Sequence, residues 1–231
     1  MFKTLLSAAV LSAMAATPLA AQDIDADAPP AQRQMSDYAT IDYNLQEDRE
    51  NILFLDLSNG QRVAIRLMPD WAPHHVERVK TLAREGFYDG VIFHRVIDGF
   101  MAQTGDPTGT GQGGSELPDL KAEFNPMPHV RGTVSMARAQ SEDSANSQFF
   151  IVFYPRFSLD KKYTNFGRVI AGMDAVDAIV RGEPPSNPTR IVQASIASDN
   201  RPAPSPTQMA APANADARTM SVDELNAPIG E

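Results

Sequence analysis

Residues 51–68 read NILFLDLSNGQRVAIRLM. Asn51 to Leu57 is apolar enough for a strand, and Ser58-Asn59-Gly60 holds the Asn-Gly pair that tight hairpin turns favour. From Gln61 to Met68 the apolar Val63, Ile65 and Leu67 alternate with Arg62, Ala64 and Arg66. A period of two sends one set to a buried face and the other to water, so the second strand reads as half-buried. This hairpin sets the class: the chain opens its folded part with antiparallel β structure.

Working outward, Pro73 suits the first turn of a helix. Val76, Val79 and Leu82 then repeat at helical spacing, and Gly86 closes the segment. Short apolar runs follow at Val91 to His94, Gly132 to Ala137, Gln148 to Phe153, Phe166 to Ile170 and Arg190 to Ala197. A second short helix is expected from Asp174 to Val180, ended by Gly182. Many short strands, Gly- and Pro-rich connections and two helices predict a mainly β fold, a closed or nearly closed barrel, because closure removes exposed edges.

The flanks differ from this body. Lys3, the apolar run Leu5 to Ala16, the break at Pro18 and the small Ala20-Ala21 follow the order of a secretory signal peptide. That assigns 1–21 to a leader cut after Ala21 or Ala20, and places the mature chain in the periplasm or outside the cell. Residues 22–50 are acidic, with Asp23, Asp25, Asp27, Asp37, Asp42, Glu47, Asp48 and Glu50 against Arg33 and Arg49. They read as a flexible lead, with Tyr38 to Leu45 the part best fitted to pack on the body because it holds Tyr38, Ile41, Tyr43 and Leu45. Residues 200–231 are rich in Ala and Pro and read as a disordered tail, leaving 51–199 as the single domain.

Composition excludes several chemistries. There is no cysteine in the 231 residues, so disulfides, thiolate metal sites and cysteine nucleophiles are absent. A net charge of -9 argues against a general nucleic-acid partner. The glycines between Gly105 and Gly114 lack the Gly-Lys-Ser/Thr ending of a phosphate loop. His74-His75 point about 100° apart on a helix with no third ligand, which favours a solvated or capping role. No Gly-x-Ser-x-Gly elbow supports a serine hydrolase. No metal or cofactor is expected.

One stretch carries more. Phe93-His94-Arg95-Val96-Ile97-Asp98-Gly99-Phe100-Met101-Ala102-Gln103-Thr104-Gly105-Asp106 closely resembles the signature of the cyclophilins, the peptidyl-prolyl cis-trans isomerases. Gly109 to Gly114 matches that family's glycine loop. Ser135 to Ala139, Asn146 to Ile151 and Leu159 to Gly167 resemble its later blocks, in order, over about Asn51 to Asp199. The resemblance implies an eight-stranded antiparallel β-barrel, closed and capped by two α-helices. It implies catalytic roles for Arg95 and Gln103, and substrate contacts at Phe100, Met101, Ala137, Phe150, Leu159 and Tyr163, with His94 also on the pocket side. The chain departs from many members at Tyr163, where they carry His, and at Ser158, where they carry Trp; the second change thins the wall near Leu159.

These residue types suit the reaction. Rotation about an X-Pro bond faces a barrier of about 18–20 kcal/mol and breaks no bond, so neither nucleophile nor metal is needed. An apolar socket must hold the proline ring, and a donor must favour the twisted amide, whose nitrogen regains a lone pair. Phe100, Met101, Phe150 and Leu159 suit the socket, and the planar fork of Arg95 suits the donor. Gln103 suits a bond to the substrate backbone and one to Arg95, and the Ala137 backbone suits pairing with an extended peptide. The partners expected are proline-containing peptides and unfolded or partly folded exported proteins. Neither nucleic acid nor stable membrane insertion after leader cleavage is expected, and the chain reads as a monomer. The competing reading is a non-catalytic proline-binding module or holdase; the presence of both Arg95 and Gln103 favours catalysis.

Overall fold

A computed structural model describes Tyr38 and residues 40–210; the leader and the end of the tail lie outside the described residues. Eight antiparallel strands form one sheet: β1 Ile52–Leu57, β2 Arg62–Leu67, β3 Arg95–Ile97, β4 Met101–Thr104, β5 Thr133–Met136, β6 Phe149–Val152, β7 Asn165–Ala171 and β8 Ile191–Ile196. Their spatial order is β3-β4-β6-β5-β7-β2-β1-β8. The hairpin of β1 and β2 stands as expected, with Leu55 opposite Val63 and Asp56 opposite Arg62. Strands β3 and β4 come from the signature stretch, whose two short runs periodicity could not separate.

The closed barrel is corrected. The sheet is an open, curled half-barrel whose edges β3 and β8 form no ladder with each other. They approach only ahead of β3, through the Ile92–Arg190 bridge and bonds such as Phe93 N to Thr189 O at 2.8 Å. Beyond that point the outer edge of β3 is taken by Gly182, bonded both ways to Val96 at 2.7 and 2.9 Å.

Inside the curl, Leu53, Leu55, Val63, Ile65, Phe93, Phe149, Ile151, Phe166 and Ile196 form the main core with Val76, Val79 and Leu82 of α1, Pro73–Arg84. Edge-to-face rings tie it, Tyr88 to Phe149 at 5.5 Å and Phe149 to Phe166 at 6.2 Å. Ala72 gives α1 no side-chain cap. The Glu123 carboxylate takes that place: it accepts from the amides of His74 and His75 at 3.2 and 3.1 Å, and their Nδ1 atoms lie 2.7 and 2.6 Å from it. Backbone donors and a helix N-terminus both favour an anion there. His74 is exposed as expected, but His75 is fully buried. The second helix, α2, runs Met173–Asp177 and ends earlier than expected.

Two flank readings change. β2 is buried on both faces, because residues 42–48 fold over its outer side. Arg66 there is 2% exposed and donates to the carbonyls of Asp42, Asn44, Glu47 and Asp48 at 2.7 to 3.1 Å. At the other end, the start of the expected disordered tail is ordered: Arg201 pairs with Asp89 at 2.9 Å, Gln193 donates to Pro202 O at 2.9 Å, and α3 spans Pro206–Ala210.

Candidate active site

The pleat builds the site. Arg95 stands opposite Gln103, Gln103 opposite Phe150, and Phe150 opposite Ser135, one row across four strands. The next row sets Ile97 opposite Met101 and Met101 opposite Val152. Since neighbours along a strand face opposite ways, Ala102, Phe149 and Ile151 enter the main core. Met101, Phe150 and Val152 instead gather on the outer face with Phe100, Ala137, Leu159 and Tyr163.

A cleft of about 250 Å³ opens there, lined by Arg95, Phe100, Met101, Gln103, Ala137, Phe150, Leu159 and Tyr163. Those are eight of the nine residues singled out in the sequence. Arg138 also lines it, a residue the sequence reading passed over. Its guanidinium lies 4.8 Å over the Tyr163 ring, and Tyr163 meets Phe150 edge to face at 5.8 Å. Phe157 does not fill the gap left at Ser158: it is 63% exposed and absent from the lining.

His94 is the one that does not line the cleft: its ring is buried beside Gly111, with no partner on either nitrogen. Burial outweighs nearby Asp106 and holds its pKa below the usual imidazole value. A second correction concerns the arginine. The side chain that holds Arg95 is Glu183, whose carboxylate accepts from Nε at 2.8 Å, not Gln103. Gln103 Nε2 donates to Gln148 Oε1 at 2.8 Å, and Gln148 donates to the carbonyls of Gly111 and Gly113.

The glycine loop owes its shape to Asp106. This buried carboxylate accepts from the Thr108 amide and hydroxyl and from the amides of Gly111 and Gly113, at 2.6 to 3.1 Å. Burial alone would raise its pKa; the Thr108 and glycine donors overcome that and hold it at about 2. A Cβ on Gly113 would stand 2.1 Å from Asp106 Oδ1, so only glycine fits. The loop's amides are thus already spent on a carboxylate, which leaves no phosphate cradle. It walls a wider cavity of about 490 Å³ that shares Gln103, Ala137 and Arg138 with the cleft.

Beneath Phe150 lies a Ser135–His129–Asp160 chain, with His129 Nδ1 2.8 Å from Asp160 and Nε2 3.0 Å from Ser135 Oγ. The distances are those of a hydrolytic triad, but the chemistry is not. Ser135 is fully buried and its hydroxyl donates to Thr164 O at 2.8 Å. Burial, against the pull of Asp160, lowers the His129 pKa. The ring stacks 6.4 Å from Phe150 and supports the cleft floor. His129 gave no signal in the sequence, since its partners lie 6 and 31 residues away. Among the described residues no cluster of His, Cys, Asp and Glu suits a metal ion, and no helix is long and apolar enough to cross a membrane.

A guanidinium beside an apolar socket is an arrangement suited to gripping and turning a proline peptide. The profile of the cyclophilin type peptidyl-prolyl cis-trans isomerases matches residues 54–196. A probable peptidyl-prolyl cis-trans isomerase of Brucella suis is 49% identical over 170 residues, 67% of this chain and 86% of the relative. Peptidyl-prolyl cis-trans isomerase B of Bacillus subtilis is 42% identical over 128 residues, 55% and 89%. Among solved structures, a cyclophilin from Hirschia baltica superposes with a TM-score of 0.62 at 30% identity, covering 67% of this chain and 77% of that one. A Cryptosporidium parvum cyclophilin type isomerase, crystallised in the presence of the dipeptide Ala-Pro, gives 0.58 at 28%, covering 63% and 98%. The chain belongs to the cyclophilin-type peptidyl-prolyl cis-trans isomerase family, and its activity is rotation about X-Pro peptide bonds.

Proposed function

We propose that the cleft over Phe150 is where the X-Pro bond turns, and that the substrates are exported polypeptides still folding. The observation that carries the first part is the shared cleft of Arg95 and the apolar group Phe100, Met101, Phe150 and Leu159. The proline ring sits on that group and excludes water. As the amide twists, its nitrogen gains acceptor strength, and the Arg95 fork, still holding free Nη hydrogens, donates to it. A bond that strengthens only in the twisted state lowers the barrier. Gln103, with its amide nitrogen held by Gln148, offers its carbonyl oxygen to a peptide N–H. Ala-Pro, the ligand named for the Cryptosporidium relative, is the smallest substrate fragment that such a socket would hold.

Arg95→Ala tests the site. The variant keeps its fold, because the side chain is 42% exposed, and loses about 10²–10³ in kcat/KM on a proline tetrapeptide. A folded variant with wild-type turnover would remove Arg95 from the mechanism.

Export rests on Lys3, the apolar run to Ala16 and the small Ala20-Ala21. It places the chain in the periplasm or outside the cell, acting on extended, proline-bearing clients. Sequencing the N-terminus of the protein recovered from producing cells reads Gln22 or Ala21; an intact Met1 start would overturn export by cleavage.

A further inference from the structure

Arg95 lies on β3, an edge strand, so no strand of the sheet flanks its outer side. The segment from Gly182 to Pro185 takes that place. Val96 N donates to Gly182 O at 2.7 Å, and Gly182 N donates to Val96 O at 2.9 Å, an antiparallel bridge. In that register the residue before Val96 faces the residue after Gly182, so Glu183 stands opposite Arg95. The close approach needs a glycine: Gly182 has φ 144°, and a Cβ there would stand 2.6 Å from the Pro185 Cα. Upstream the segment is fastened by Arg181, which donates to the carbonyls of Asp177 and Ile179 at 2.6 and 2.5 Å and lies 4.3 Å over the Phe153 ring. Glu183 is thereby held where its Oε2 accepts from Arg95 Nε at 2.8 Å.

We propose that Glu183 is a positioning residue for Arg95 in the isomerisation. The proposal rests on the reading of Arg95 as the donor. An arginine side chain has many rotamers and loses freedom when fixed. Glu183 takes the Nε hydrogen, the one that points away from the end of the fork. It fixes the guanidinium plane while the Nη hydrogens stay free for the proline nitrogen. The sheet row then reads Glu183, Arg95, Gln103, Phe150: an anchor, a donor, a peptide acceptor and the socket floor. The two charges are 42% and 52% exposed, so solvent screens them and the gain is several-fold, not thousands-fold.

The test uses the mature chain with Glu183→Ala, Glu183→Gln, Arg95→Ala and the Arg95→Ala/Glu183→Ala double variant, each assayed on a proline tetrapeptide. Glu183→Ala is expected to lower kcat about three- to fivefold, with KM and melting temperature unchanged. Glu183→Gln, which keeps an oxygen acceptor, recovers most of the loss. In the Arg95→Ala background, removing Glu183 has no further effect. Turnover equal to or faster than wild type in Glu183→Ala would overturn the proposal, since the carboxylate would then be idle or compete with substrate for Arg95. The same loss in both backgrounds would also overturn it, because Glu183 would act without Arg95. Full activity of Arg95→Ala alone would instead defeat the reading of Arg95, and the proposal with it.

Discussion

Asp106 shows how one side chain can shape a wall of the cleft. Its carboxylate is buried and its partners are Thr108 and two glycine amides. Held at about 2 against an ordinary 3.8, its depressed pKa stabilises the fold fully above pH 3.8, and the gain is lost as pH falls through 2. That difference is worth about 2 kcal/mol by linkage. The melting temperature of the wild type is therefore expected to fall more steeply between pH 5 and 2 than that of Asp106→Asn, which starts lower and has no such proton to take up. Parallel curves would show that Asp106 does not set the acid limit. The sequence placed Asp106 at the end of the signature but gave it no role. Its partners are two to seven residues on, and only the folded loop turns their amides inward. His94 and Arg95 make the complementary case: both stand in the motif, yet Arg95 lines the cleft while the His94 ring is buried beside Gly111.

At the scale of elements, the N-terminal lead is the part read least well. Acidic, proline-bearing residues without apolar period looked free, although Tyr38 to Leu45 was singled out as fit to pack. Residues 42–48 give carbonyls to Arg66, a residue that alternation had turned toward water. Glu50 joins them to α1, 2.5 Å from Lys80 Nζ and 2.9 Å from Arg84, which in turn meets Asp199 at 3.0 Å. A chain of 51–199 is thus expected to lose about 2–3 kcal/mol in charged hydrogen bonds relative to a chain of 40–202. That is a drop of roughly 5–10 °C in melting temperature. The cleft is built from β3 to β6 and should keep its activity at low temperature. Thermal melts of the two chains check this, and coincident melts would show that the lead adds nothing.

For the whole molecule, local pattern in the chain was enough for the β class, the hairpin of β1 and β2, and α1: a period of two or of three to four and an Asn-Gly turn. The cleft residues were legible only through the resemblance of ordered motifs to a known family, since read singly Phe100, Met101 and Phe150 would pass for core and Arg95 for a surface ion-pair partner. Tertiary structure alone decided whether the sheet closes. That depends on how far β3 and β8 run alongside each other, and strands 94 residues apart from Ile97 to Ile191 leave no mutual sign in either segment. It also decided what sits behind and beside the cleft: Ser135–His129–Asp160 under Phe150, Glu123 at the start of α1, and Glu183 against Arg95. These are polar groups held by partners that the fold brings to them. Periodicity records only which face a side chain takes, whereas hydrogen bonds between distant residues exist only once the sheet has set their register.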